Sequence, residues 1–185
     1  MTDRRNIFAI VGSASTNSAN QKLVERIAQT TADDFNWTVY NDLKNLPPFD
    51  PELSIDNPPQ QVIEFREAVS NADGILICTP EYVFSIPSGL KNAIEWCVST
   101  TVFSNKPSGL ITASTDGQKG HEELALIMRT VMAKFTDETT LLIQGIKGKF
   151  DLNGKLVHDE TINKLNHFIT AFRKILLNGD SSTKH

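Results

Sequence analysis

Five short apolar runs recur along this chain, and each is followed by a stretch whose apolar residues are spaced for a helix. The runs are residues 7–11 (IFAIV), 37–40 (WTVY), 74–78 (GILIC), 109–113 (GLITA) and 139–144 (TTLLIQ). Near-continuous apolar runs of this length read as strands buried on both faces. Between them, residues 21–32 carry Leu23, Ile27 and Ala28 on one helical face, 60–70 form a second helix, and 88–98 a third with Pro87 at its N1 position. Leu124, Ile127, Met128, Val131, Met132 and Phe135 fall on one later stripe, and Ile162, Leu165, Ile169, Phe172 and Leu176 on another. Strands alternating with helices are βαβ units, and right-handed crossovers make them a parallel sheet covered on both faces. The expected fold is therefore α/β, a three-layer sandwich around a five-stranded parallel sheet of order 2-1-3-4-5, with residues 1–185 as a single domain. Ligands of such sheets bind beyond the carboxyl ends of the strands at the switch point, here between strands one and three.

Three loops then share one rim: residues 12–20, 79–87 and 114–121. The first, GSASTNSAN, offers the hydroxyls of Ser13, Ser15, Thr16 and Ser18, the Asn20 amide, and backbone N–H groups around Ala19 at the start of a helix. Such a loop holds a phosphate through N–H donors and the helix dipole without any cation. It lacks the GK[ST] ending of a nucleoside triphosphate loop and the GxGxxG of a dinucleotide fold. The competing reading of Ser18 is a plain helix N-cap.

The second loop, TPEYVFSIP, is bracketed by Pro80 and Pro87, which stiffen it. Its outward N–H groups suit the polar edge of a flat heterocycle, with Tyr82 and Phe84 packed near the face. Alternatively these aromatics cover the core or a subunit contact. The third loop, STDGQKGH, has glycines that allow close ligand approach, although Asp-Gly is also an ordinary turn. The proline-rich connector around LPPFDPEL and NPP is long enough to be a lid or a partner contact.

Charge narrows the partners. Eighteen Lys and Arg against 22 Asp and Glu give a formal charge of -4, so no basic field draws nucleic acid or an anionic membrane. Neither a signal peptide nor a spanning segment is readable, and a cytoplasmic protein is expected. Cys78 and Cys97 lie within apolar periodic segments, where thiols pack as small core residues without a disulfide. His121, His158, His167 and His185 lack metal-ligand spacing, so no metal is expected. Glu81, Glu95 and Asp116 show no pairing that marks an acid or base, and structural or solvated roles are expected of them.

Taken together, Gly12-Ser13 with Ser18 and Asn20, the run Thr79-Pro80-Glu81-Tyr82, and Ser85-Ile86-Pro87 followed by LKNAIEW resemble the NADPH-dependent FMN reductase family, which includes quinone, azo-dye and chromate reductases. The resemblance runs from the first strand through residues 150–155 (FDLNGK). It implies a flavodoxin-like fold with FMN as cofactor and NADPH or NADH as electron donor. Ser13, Ser15, Ser18, Ala19 and Asn20 would hold the FMN phosphate; Pro80, Glu81, Tyr82, Val83 and Phe84 would meet the isoalloxazine, flanked by Ser114 and Gly117. Hydride would pass directly to the flavin N5, with no catalytic side chain, and then on to a quinone, a free flavin or a similar small acceptor. A homodimer or homotetramer is also implied, with the LKNAIEW helix near the subunit contact.

The chain departs from the family pattern at three places. Ser15 replaces an arginine of the first loop, Val83-Phe84 replaces Asn-Gly after PEY, and His121 replaces a second glycine of the third loop. The first removes a cation from the phosphate site, and the second adds a ring expected to narrow the acceptor site. These departures keep open a rival, a flavodoxin-like electron carrier without NAD(P)H reductase activity.

Overall fold

The computed structural model describes residues 4–177. Its five strands are β1 (Arg5–Val11), β2 (Phe35–Tyr40), β3 (Gly74–Thr79), β4 (Ser108–Ser114) and β5 (Thr140–Gln144). They pair in parallel in the order β2-β1-β3-β4-β5. This is the doubly wound order expected from the sequence, and β1 and β3 meet at the switch point.

Six helices complete the sandwich: α1 (Ala19–Thr30), α2 (Pro51–Asp56), α3 (Gln60–Asn71), α4 (Ser88–Glu95), α5 (Gln118–Thr130) and α6 (Asp159–Leu177). Alternation along the strands divides the core in two. Ile7, Ala9, Val11, Leu76 and Cys78 face α1 and α6. Phe8, Ile10, Ile75 and Ile77 face α3, α4 and α5. Both cysteines are buried and free, which raises the Cys78 thiol pKa and pushes that of Cys97 up to about 12.

Several boundaries differ from expectation for local reasons. The first helix starts earlier because Ser18 Oγ accepts the Gln21 N–H at 3.1 Å and caps it, making Ala19 the first helical residue. Pro87 is the N-cap of α4 rather than N1, with an extended ψ of 141°. The stripe ending at Phe135 is cut short because Met132 takes a left-handed φ of 59°. Its N–H bonds to Arg129 O at 3.0 Å and that of Ala133 to Met128 O at 2.9 Å, a Schellman ending with methionine in the place of glycine. The tail from residue 178 onward, His185 included, lies outside the described residues.

The proline-rich connector is not built as a lid. It folds into a short 3-10 turn (Leu43–Asn45) and α2, and side chains of the α4 region hold it down. Asn92 Nδ2 and Trp96 Nε1 both donate to Pro47 O, at 3.0 and 2.7 Å, while Asn92 Oδ1 accepts the Phe49 N–H at 2.8 Å. Arg66 of α3 donates to Ser54 O, Ser54 Oγ, Ser99 Oγ and Trp96 O, joining the connector to the end of α4. Trp96 is wholly buried within its own chain, so it is a core anchor and not a subunit contact.

Candidate functional site

At the carboxyl ends of the strands, β1 continues straight into the first loop: the Gly12 N–H donates to Cys78 O at 2.8 Å. The chain then leaves the sheet, and Ser13 Oγ accepts the Ser15 N–H at 3.2 Å. Ser18 takes two donors of the α1 entrance, the Gln21 N–H on its Oγ and the Lys22 N–H on its carbonyl at 3.0 Å. The N–H groups of Ala19 and Asn20 therefore stand at the helix mouth with no acceptor inside the helix. The Asn20 side chain is turned the other way. It is buried, donating to Ala113 O at 3.1 Å and accepting from Cys78 Sγ at 3.3 Å. Its amide is thus spent on locking α1 to β3 and β4, and only its backbone is offered to a ligand.

The second loop is braced from α5. Glu81 accepts the Gly120 N–H on Oε2 at 2.8 Å, and Glu123 accepts the Ile86 N–H at 3.1 Å. Gly120 permits this closeness, because a Cβ there would lie 3.1 Å from Glu81 Cβ. Between these braces, Tyr82 and Ser85 exchange both backbone bonds, at 2.9 and 3.1 Å, around the two-residue turn Val83-Phe84. Such a tight turn requires positive φ at both central residues, the reason Asn-Gly is favoured there. Here Val83 and Phe84 adopt φ of 52° and 62°, a strained backbone for a β-branched and an aromatic residue. Replacing the pair by Val83→Asn with Phe84→Gly is expected to raise stability by about 1–3 kcal/mol. A urea midpoint no higher than that of the parent would show the turn to be unstrained.

These loops enclose a cleft of about 720 Å³, within the range that encloses small cofactors. Of the residues expected from the sequence, Ser13, Ser15, Ser18, Ala19, Asn20, Pro80, Glu81, Tyr82 and Ser114 line it. Three do not. Gly117 is buried as the N-cap of α5, with a φ of 90°. Val83 and Phe84 stand at the outer tip of the turn, 93% and 73% exposed, so the Phe84 ring does not narrow the cavity. His121 also stays off the cleft lining: it sits on α5 with Nδ1 2.9 Å from Thr112 Oγ1, and burial lowers its pKa.

A fourth wall stands beyond the three loops expected from the sequence. Ile146, Lys147, Phe150, Asp151 and Leu152 bring the loop after β5 to the cleft, and Lys22 reaches it from α1. The signal lay in topology, because the carboxyl end of β5 must open on the same rim as those of β1, β3 and β4.

A family model described as NADPH-dependent FMN reductase matches residues 5–145. The chain belongs to that family. Among its relatives is an NADH-dependent flavin reductase subunit 2 of Lactobacillus johnsonii, 31% identical over 92% of this chain and 96% of the relative. A 2-hydroxy-1,4-benzoquinone reductase of a Burkholderia species is 29% identical, covering 90% of this chain and 93% of its own. Among solved structures, the flavoenzyme NAD(P)H:(acceptor) oxidoreductase FerB of Paracoccus denitrificans superposes with a TM-score of 0.80 at 21% identity, over 95% of this chain and 98% of that one. That likeness shows the shared fold. Membership makes the chain an oxidoreductase of the flavin-dependent NAD(P)H type.

The cleft fits the cofactor that the family name implies. One end offers hydroxyls and, among the described residues, the unbonded N–H groups of Ala19 and Asn20, donors of the kind a phosphate needs; the other offers the braced backbone of Pro80–Tyr82, a flat wall of the kind a planar ring needs. No helix among the described residues is long and apolar enough to cross a membrane.

Proposed function

We propose that residues 1–185 form one FMN-binding domain that takes hydride from NADH or NADPH and passes electrons to a quinone, a free flavin or a similar small acceptor. The observation that carries this reading is the single continuous cleft, polar and N–H-rich at the α1 mouth and walled by a braced, stiff loop at the other end. Ser13, Ser15 and Thr16, with the backbone of Ala19 and Asn20, hold the phosphate, while Ser18 shapes the entrance by capping α1. The main chain at Pro80, Glu81 and Tyr82 offers its polar groups to the pyrimidine edge, and the Glu81–Gly120 bond keeps them from yielding. Ser114 and Thr115 flank the opposite side.

Bound FMN supplies the hydride-accepting and electron-passing chemistry. The protein's own contribution is position: fixed donors and a walled cleft that holds the reacting planes together and limits water. Apolar side chains left exposed around the rim, Val83, Phe84 and Leu152, favour a homodimer or homotetramer that covers them. The two free thiols favour the reducing cytoplasm.

The test is to load the apoprotein with FMN and add NADPH, then NADH, without oxygen while following the visible flavin band. Rapid bleaching by either donor is expected. A bound flavin that stays oxidised with both would overturn the reductase in favour of an electron carrier.

A further inference from the structure

The first loop, residues 12–20, carries no charged side chain at all, yet a flavin phosphate brings close to two negative charges. Hydroxyls and N–H groups solvate such a group but do not neutralise it. The cleft nevertheless has charged walls: Lys22, Lys147, Glu81 and Asp151. The two acids are already engaged. Glu81 Oε2 accepts the Gly120 N–H, and Asp151 Oδ1 accepts the N–H groups of Asn153 and Lys155 at 2.9 and 2.8 Å. The two lysines are not, since neither has a carboxylate within 4.0 Å among the described residues.

Their origins make the arrangement more than a pair of surface amines. Lys22 belongs to the first full turn of α1, whose side chains lean toward the helix N-terminus and so toward the loop itself. It is half-buried, and its amine lies beside the Gly154 backbone, where a Cβ would be 3.2 Å from Nζ. Lys147 comes from the 3-10 turn (Ile146–Lys149) after β5, whose position is fixed by the buried Ile146. The two lysines thus line one cleft from two elements, α1 and the β5 loop, that the sheet brings to the same rim.

We propose that Lys22 and Lys147 supply the counter-charge for the FMN 5′-phosphate, taking over from outside the first loop the role that an arginine in place of Ser15 would perform within it. The inference rests on the flavin reading above and deepens it. It also predicts a selectivity: these lysines discriminate FMN from riboflavin, which has the same ring and ribityl chain but no phosphate.

The experiment titrates the apoprotein with FMN and, separately, with riboflavin, following flavin fluorescence at several salt concentrations. Lys22→Gln and Lys147→Gln are each expected to weaken FMN roughly tenfold while leaving riboflavin unchanged. The double variant should lose most of the salt dependence of FMN binding. Adding Ser15→Arg to the double variant should restore much of the FMN affinity, which no merely structural role for the lysines would produce. FMN affinity and salt slope unchanged in both single variants would overturn the counter-charge while leaving the flavin site standing. Equal losses for FMN and riboflavin would overturn it too, as loop damage. A parent protein that binds neither flavin would overturn the flavin reading itself.

Discussion

Trp96→Ala is expected to lower the unfolding free energy by about 3–5 kcal/mol, the range for removing a fully buried large aromatic. The indole lies edge-on to Phe49 with ring centroids 5.4 Å apart, and its Nε1 holds Pro47 O at 2.7 Å. Truncation leaves a cavity under the connector and removes one of the two donors to Pro47 O. Asn92 would still donate to Pro47 O, so the connector should loosen rather than detach. Urea unfolding of parent and variant reads the change. A loss under about 1 kcal/mol would show that the connector repacks into the space, since only a site that collapses well escapes the cavity cost. Mass by light scattering, measured where the variant is still folded, should equal that of the parent, because the side chain faces inward.

Gly12→Ala carries the second large expectation, a loss of about 1–3 kcal/mol accompanied by weakened flavin binding. A Cβ at Gly12 would fall 2.3 Å from Thr79 Oγ1, 2.6 Å from Thr79 Cβ and 3.0 Å from Leu90 Cδ2. Thr79 is β-branched and wholly buried, so it has no alternative place for its side chain. Relief must come from moving the end of β1 away from β3, at the point where the first and second loops leave the sheet. Gly148→Ala is the control: its Cβ would meet nothing within 4 Å, and a change within about 0.5 kcal/mol is expected. If both alanines behave alike in melting and in FMN titration, the closeness at Gly12 has no energetic weight.

Much of this architecture was legible because it depends on local patterns. Residues such as Ile75 and Ile77 on one face and Leu76 and Cys78 on the other are all buried, so their run needed no polar alternation to read as a strand. The alternation of strands and helices, with the doubly wound order 2-1-3-4-5, placed the loops on one rim. What local pattern does not carry is the direction of a side chain. The polar loop offers the Asn20 amide and the family resemblance puts it at the phosphate, but its side-chain bonds go to Ala113 and Cys78, residues far along the chain. The resemblance puts the LKNAIEW helix near a subunit contact, whereas the bond to the carbonyl of Pro47 turns the Trp96 ring into the core of its own chain. The run of Phe84 beside Tyr82 points it at the ring face, whereas the hairpin between Tyr82 and Ser85 turns it outward. The wall after β5 is not legible in sequence, because KGKF has no motif of its own and acquires meaning only from the strand before it.

The cleft draws its lining from four segments, between Ser13 and Lys22, Pro80 and Tyr82, Ala113 and Thr115, and Ile146 and Leu152, so no fragment shorter than nearly the whole sheet contains it. A chain released before β5 has docked would have a phosphate loop but no fourth wall. Ligand affinity should therefore appear late in refolding, in step with the last strand, and not with the earlier collapse of the β1–β3 pair. By mass action, a ligand held only by the finished structure raises the free energy of unfolding by an amount set by its concentration over its dissociation constant. The supply of flavin would then govern how long this chain survives proteolysis as well as how fast it turns over.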